Sequence, residues 1–204
     1  MDDLEQALAH LKKADPVLFA AAKRVRKTLT ARPPARGENR LFASLAESVV
    51  SQQLSVKASD TIWKRLGEAC RGKVTPASIL ATSLPRMRKA GLSAAKAKTL
   101  KELAKTVQKG LNLSALRKKT PEEASEALVA VWGIGPWTAE MFLMFGLGHL
   151  DIFSARDLGL VRSIETLYGV KKGSSLATYE AIAARWSPHR TLASRILWRI
   201  RDTT

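Results

Sequence analysis

The stretch LVAVWGIGPWTAEMFLMFGLGHLDIFSARDLGL, residues 128–160, decides how the whole chain is read. It spells a helix, a tight Gly-x-Gly hairpin at Gly133-Ile134-Gly135, a second helix, and a short link to a third helix. Upstream, Thr120, Pro121 and Glu123 supply a cap, a first-turn proline and a capping-box partner for the first helix. The two glycines can take backbone angles that residues with a Cβ avoid, so the chain can reverse within a few residues. Trp137, Met141, Met144 and Phe145 then fall at i, i+4, i+7 and i+8, one apolar helical face. Such a hairpin turns main-chain N–H groups outward at a helix N-terminus, where an anion is favoured. A plain αα-corner with glycines at its turn has the same local pattern.

Charge separates these readings. The 204 residues carry 34 Lys and Arg against 18 Asp and Glu, a net +16, so the natural anion is a nucleic-acid phosphate. A hydrophobic share of 46% sets aside disorder, and the length suffices for one well-filled core or two packed lobes. No long apolar span or lone basic amphipathic helix speaks for a membrane. One cysteine, Cys70, excludes an internal disulfide framework and a four-cysteine zinc or iron–sulfur site. The opening MDDLEQALAH is acidic and has no apolar signal region, so the expected location is intracellular, in the cytoplasm or nucleoid.

Elsewhere the pattern is helical throughout. Helices are expected over 3–12 and 16–29, the second with Asp15 as cap and Pro16 in its first turn. ARPPARG (31–37) is a link. A helix from about Asn39 to Val50 places Leu41, Phe42, Leu45 and Val49 on one face and ends in SQQLS (51–55). Ser55 caps the next helix, Thr75–Pro76 and Ser83 open two short ones, and Ser93 caps a long one running to about Lys109. Ser187–Pro188 opens the last helix. With no period-2 strand and no Asn-Gly or Asp-Gly hairpin, the fold class is all-α. Met87–Leu103 faintly echoes the main hairpin around Gly91, as a second backbone-binding corner or a simple αα-turn.

Several residues invite a functional and a plain reading at once. Asp157 closes a Ser154-x-x-Asp157 capping-box pattern, so it can simply satisfy a helix start. The same position holds a carboxylate ionised and oriented, as stabilising a sugar cation requires. Gln52 and Gln53 are solvated loop residues, or fill the gap that an extruded nucleotide leaves. Trp132, Trp137, Trp186 and Trp198 are core by default, although a cationic base would need aromatic faces. Lys101, Lys105 and Lys109 form a helical stripe, solvated or facing phosphate. His10, His149 and His189 show no metal-ligand spacing.

Five blocks in order resemble the helix-hairpin-helix DNA glycosylase superfamily, in its alkylpurine (3-methyladenine) branch. They are ESVVSQQLSVKAS (47–59), AGLSAAKAKTLKELA (90–104), VWGIGPWTAEMF (131–142), DIFSARDLGL (151–160) and WSPHRTLASRILWR (186–199). The resemblance covers about residues 39–201 and is to the compact all-helical form, without the N-terminal β domain of larger members. It implies one compact all-α unit, 1–204, made of two helical lobes with a DNA-binding cleft: about 39–147, and 1–38 with 148–204. It implies DNA-backbone binding by Gly133, Ile134, Gly135 and Thr138, with Na+ or K+ on hairpin carbonyls and no catalytic metal or other cofactor. Asp157 matches the catalytic aspartate. Trp137, Met141 and Trp198 match base-pocket positions, and Gln53 and Leu54 the wedge. Met141 stands where some members have an aromatic, and Gln53 where some have an aliphatic residue. Strand-cleaving members carry a Schiff-base lysine in GVGRKTA; here GIGPWTA puts Trp137 there. The implied activity is therefore monofunctional excision of 3-methyladenine or 7-methylguanine from duplex DNA by a monomer that flips the base. The rivals are a non-catalytic helix-hairpin-helix DNA-binding module, a glycosylase for deaminated or oxidised bases, and a helical adaptor.

Overall fold

The computed structural model describes residues 3–30, 37 and 40–202. Among the described residues twelve α-helices follow one another: α1 (Asp3–Ala14), α2 (Pro16–Val25), α3 (Leu41–Ser51), α4 (Val56–Ala69), α5 (Pro76–Ala81), α6 (Leu84–Lys89), α7 (Ala94–Gln108), α8 (Pro121–Val129), α9 (Pro136–Phe142), α10 (Leu158–Tyr168), α11 (Leu176–Ala184) and α12 (Arg190–Asp202). No strand occurs among the described residues, so the all-α expectation holds. The proline-rich link at 31–36 and the helix start at Asn39 lie outside the described residues.

The caps read from sequence are made. Side chains of Asp15, Ser55, Thr75, Ser83 and Ser93 each accept the main-chain N–H three residues on, and Thr120 with Glu123 closes a reciprocal capping box. Two boundaries differ. The second helix leaves α geometry after Val25 through a 3₁₀ turn at Arg26–Thr28. The last helix starts at Arg190 rather than at Ser187–Pro188, because its first N–H is taken by the distant Asp151 carboxylate at 3.2 Å. Helix α11 had no expectation; it buries only Tyr179 and Ala183, too short an apolar stripe to stand out.

The chain divides into two compact units, residues 1–34 with 148–204, and residues 35–147. In the first, α2 packs on α1, α10 and α12 around Leu11, Leu18, Trp186, Ile196 and Leu197. A buried carboxylate is set into this core. Asp15, 1% exposed, accepts from Leu18 N, Tyr168 Oη and Trp186 Nε1. In the second, α3 packs on α4, α7 and α9, α5 and α6 on α7, and α8 on α9. Leu45, Val49, Leu100, Leu103, Leu128 and Phe142 fill its core. Gly91 there turns the chain between α6 and α7 with φ +104°, a geometry that both readings of this corner share.

Past Phe142 the expected single helix changes pitch. Leu143–Leu147 form a π-helical turn, and the Phe142 ring lies where a Cβ on Gly146 would stand, 2.4 Å from it. A π turn inserts one residue into the helical repeat. Met144 accordingly stays buried while Phe145 is only half-buried.

Candidate active site

In the second unit α8, residues 130–135 and α9 form the expected helix-hairpin-helix. Gly133 has φ +83°, and a Cβ there would stand 2.0 Å from Oγ1 of buried Thr99 on α7. Both conformation and space therefore demand glycine. Gly135 differs: φ is −96° and a Cβ would meet nothing within 4 Å, so its missing side chain leaves open room over the N-terminus of α9. Ile134 and Thr138 are buried, so only their main chain is left to meet a ligand. The expectation for Thr138 narrows accordingly, because its hydroxyl is already engaged.

Its partner is Gln52, at the end of α3. The Gln52 amide donates to Thr138 Oγ1 at 2.8 Å and to the Gly133 carbonyl at 3.2 Å. Gln52 thus braces the hairpin and is neither a solvated loop residue nor a filler of the stack. Lys96 fixes the same corner from α7, donating to the carbonyls of Val50 and Gln52 at 2.8 and 2.7 Å. Burial holds its ammonium pKa below the ordinary lysine value. Beyond this brace Gln53 takes φ +55°, and Leu54 and Val56 are 39% and 74% exposed. The wedge candidates Gln53 and Leu54 thus stand on an exposed turn held from behind. Val56, at the start of α4, is a third exposed side chain, and no sequence signal singles it out.

The hairpin's apex corrects another default. Trp132 is half exposed, with Lys98 Nζ 4.2 Å from its ring centroid, and is not core. Trp186 is fully buried, as the default has it. On α9, Trp137 is half-buried but Met141 belongs to the unit's core, so of the two pocket candidates Trp137 has the surface to offer. The lysine stripe of α7 is partly committed: Lys101 donates to the Leu80 carbonyl, and Lys105 pairs with Glu102.

Gly133→Ala combines a left-handed alanine with a collision against a buried hydroxyl. We expect a loss of about 2–3 kcal/mol, roughly 4–12 °C in melting temperature. Gly135→Ala, with ordinary angles and open space, should change stability by less than about 1 kcal/mol. Thermal melts of the two variants check the contrast; equal shifts would overturn it.

In the first unit Asp157 is the N-cap of α10. Its Oδ1 accepts Leu160 N at 2.9 Å and Trp198 Nε1 at 3.0 Å. The capping-box pattern was read one turn too early: Ser154 does not cap, its carbonyl accepting Asp157 N, and Asp157 is itself the cap. The structure brings Asp157 and Trp198 together, and Trp198 does so through its indole edge, with the ring packed against the unit's core. A carboxylate held by a helix N-terminus and an indole donor is fixed in orientation. It can therefore present negative charge to a cationic centre.

A second contact sets the approach to Asp157. Asp151 accepts from Arg190 Nε, Nη2 and N and from Ser187 Oγ at 2.8–3.2 Å, fastening the loop before α10 to the start of α12, which carries Trp198. Burial raises the Asp151 pKa, but the hydrogen bonds from Arg190 and Ser187 outweigh it and hold the carboxyl below its ordinary 3.8. A carboxyl that titrates lower when folded contributes stability in full above about pH 4, and loses it as pH falls through the folded value. Asp151→Asn should therefore cost about 1 kcal/mol at pH 7, discounted for partial exposure, with the gap to wild type closing below pH 3.8. Urea unfolding from pH 7 down through pH 3.8 measures it; a gap that does not narrow as pH falls below 3.8 contradicts the assignment.

Among the described residues no group of three His, Cys, Asp or Glu could hold a metal ion, and no helix is long and apolar enough to cross a membrane. With these geometries in place, relatives identify the framework. Residues 46–188 match the HhH-GPD superfamily of base excision DNA repair proteins. The alkylbase DNA glycosidase-like protein mag2 of Schizosaccharomyces pombe is 28% identical over 204 residues, covering 97% of this chain and 94% of its own. The 3-methyladenine DNA glycosylase Mag1 of the same yeast, solved in complex with abasic DNA, superposes with a TM-score of 0.86 at 30% identity and covers 95% of each chain. The DNA-3-methyladenine glycosidase of Bacillus halodurans gives 0.78 at 31% identity, over 98% of this chain and 90% of that one. A helix-hairpin-helix braced by Gln52 and an aspartate capping the helix after it are thus set in a framework shared along nearly the whole chain, and the protein belongs to the HhH-GPD superfamily of base excision DNA repair proteins.

Proposed function

We propose that this chain is a monofunctional DNA glycosylase that removes alkylated purines of the 3-methyladenine and 7-methylguanine type from double-stranded DNA. The observation that carries the reading is Asp157, a partly exposed carboxylate fixed by the N-terminus of α10 and by the Trp198 indole. The names of relatives that match end to end, and the net charge of +16, support the substrate class.

Alkylation at N3 or N7 makes the purine a cation and weakens its bond to the sugar. An extruded base of that kind is attracted by aromatic faces, worth about 0.5–2 kcal/mol, and Trp137 is the exposed candidate on α9. As the C1′–N bond breaks, its electron pair leaves with the base and neutralises it, so no general acid is required. Positive charge develops on the sugar, and Asp157 stabilises it. Water adds to C1′ and passes its proton to the surrounding solvent, leaving an abasic site. Trp137 stands where strand-cleaving relatives carry the Schiff-base lysine, which supports base release without strand cleavage.

The main chain of Gly133 to Gly135, with open room over Gly135, is the proposed phosphate grip. Its carbonyls are neutral hard oxygens, suited to Na+ or K+ rather than to a divalent ion. Gly133 already accepts from Gln52, Val131 from Ile134 N and Gly135 from Ala139 N, so the Trp132 and Ile134 carbonyls would hold the cation. The protein would act as a monomer on damaged duplex.

The experiment is base release from methylated duplex DNA, with strand breaks scored before and after alkali. Free 3-methyladenine or 7-methylguanine, with breaks only after alkali, is the expected result. Binding without release of any alkylated base would favour a non-catalytic module, and breaks without alkali would refute the monofunctional assignment.

A further inference from the structure

Gly159 lies in the first turn of α10, two residues after Asp157, where glycine costs a helix roughly 1 kcal/mol relative to alanine. The space it leaves is used from α12. A Cβ on Gly159 would stand 2.2 Å from Nη1 and 3.1 Å from Cζ of Arg201, and 3.0 Å from Asp157 Oδ1. The guanidinium is thus laid over the first turn of α10 and flanks the same empty point as the carboxylate. Trp198 and Arg201 are three residues apart, hence neighbours on one face of α12. That face offers Asp157 an indole donor and, beside it, a cation on an exposed residue.

We propose that Arg201 binds a backbone phosphate of the nucleotide whose sugar is brought to Asp157, and that Gly159 lacks a side chain to admit the guanidinium. The assignment rests on Asp157 being the catalytic group. A guanidinium beside the carboxylate offsets part of the charge that has to face a developing sugar cation. A nucleotide seated at Asp157 carries a phosphate on each side of its sugar, and guanidinium matches phosphate in paired, forked hydrogen bonds. Turning from carboxylate to phosphate holds the extruded nucleotide and leaves Asp157 with its full charge at the moment it is needed. A role limited to offsetting the C-terminal end of the helix dipole would be met equally by Arg199 in the same turn, and would need no glycine at 159.

The test compares binding of two duplexes, undamaged and carrying a tetrahydrofuran abasic nucleotide, by wild type, Arg201→Gln, Arg201→Lys and Gly159→Ala across a range of salt. Arg201→Gln is expected to weaken binding to the abasic duplex about tenfold and to reduce its logarithmic salt slope by about one, with undamaged duplex changed less than about twofold. Arg201→Lys should keep the slope, which also shows that loss in the Gln variant is not misfolding. Gly159→Ala, pushing the guanidinium aside, should fall between Arg201→Gln and wild type. An Arg201→Gln variant with wild-type affinity and slope would overturn the assignment, as would equal losses on both duplexes. Failure of the wild type itself to bind either duplex would instead refute the glycosylase reading.

Discussion

Asp157→Asn is expected to slow base release by about 10²–10³-fold while leaving duplex binding within about twofold of wild type. The separation follows from what the side chain does structurally. Asparagine caps a helix about as well as aspartate, and its amide oxygen can still accept from Leu160 N and Trp198 Nε1 at 2.9 and 3.0 Å. The cap, the indole contact and the start of α10 therefore survive. Only the negative charge is lost, together with the roughly 2.7–4 kcal/mol that a preorganised electrostatic group contributes to a charged transition state. Asp157→Ala adds the loss of the cap, about 1 kcal/mol, and so mixes stability with catalysis. Single-turnover release of 7-methylguanine, measured beside anisotropy with undamaged duplex, resolves the two effects. Release at the wild-type rate from Asp157→Asn would remove Asp157 from the chemistry and leave it as a cap alone.

The same residue shows what a sequence can carry. Caps, first-turn prolines and the Gly133 turn are local, encoded within four or five neighbouring residues, and they were legible because a hydrogen bond from residue i to i+3 needs nothing else to be known. Asp157 was legible as a carboxylate at a helix start, although Ser154 drew the cap one turn too early. The contacts that make the site specific are not local. Gln52 reaches Gly133 and Thr138 across more than eighty positions, Trp198 reaches Asp157 across forty-one, and Asp151 holds Arg190 across thirty-nine. Each depends on how two helices pack, and a polar residue at a helix end looks the same in sequence whether it meets solvent or a distant carbonyl. Trp132 was misplaced for a related reason: hydrophobic spacing says which face is apolar, not whether a neighbour covers it.

Asp15→Ala is expected to destabilise the protein by about 3–5 kcal/mol, roughly 6–20 °C in melting temperature. Asp15 was legible as the cap of α2, and a cap alone would be worth about 1 kcal/mol. The larger figure comes from its second oxygen. Oδ2 accepts Tyr168 Oη and Trp186 Nε1, both at 2.8 Å, with Arg185 at 3.6 Å at the margin. Trp186 is fully buried, so removing the carboxylate leaves an indole N–H with no route to water, a cost of about 1–3 kcal/mol for that group alone. Burial and then the Asp15 hydrogen bond push the Tyr168 phenol above its ordinary 10.0, so it stays a donor through neutral pH; its contribution is full below pH 10 and fades only as pH rises through the folded value. Asp15→Asn should fare little better. Its amide must place N–H₂ toward either the Leu18 N–H or the Trp186 N–H, and neither donor can turn into an acceptor. Tyr168→Phe, which removes one donor and leaves the carboxylate its others, should cost only about 1 kcal/mol. Urea denaturation of the three variants fixes this order, and an Asp15→Ala shift no larger than that of Tyr168→Phe would contradict it. Tyr168 ends α10, the helix that Asp157 begins, so the knot at Asp15 supports Asp157 from the far end of its own helix. Asp15 variants should therefore lose activity in step with folded protein, whereas Asp157→Asn loses it with the fold intact.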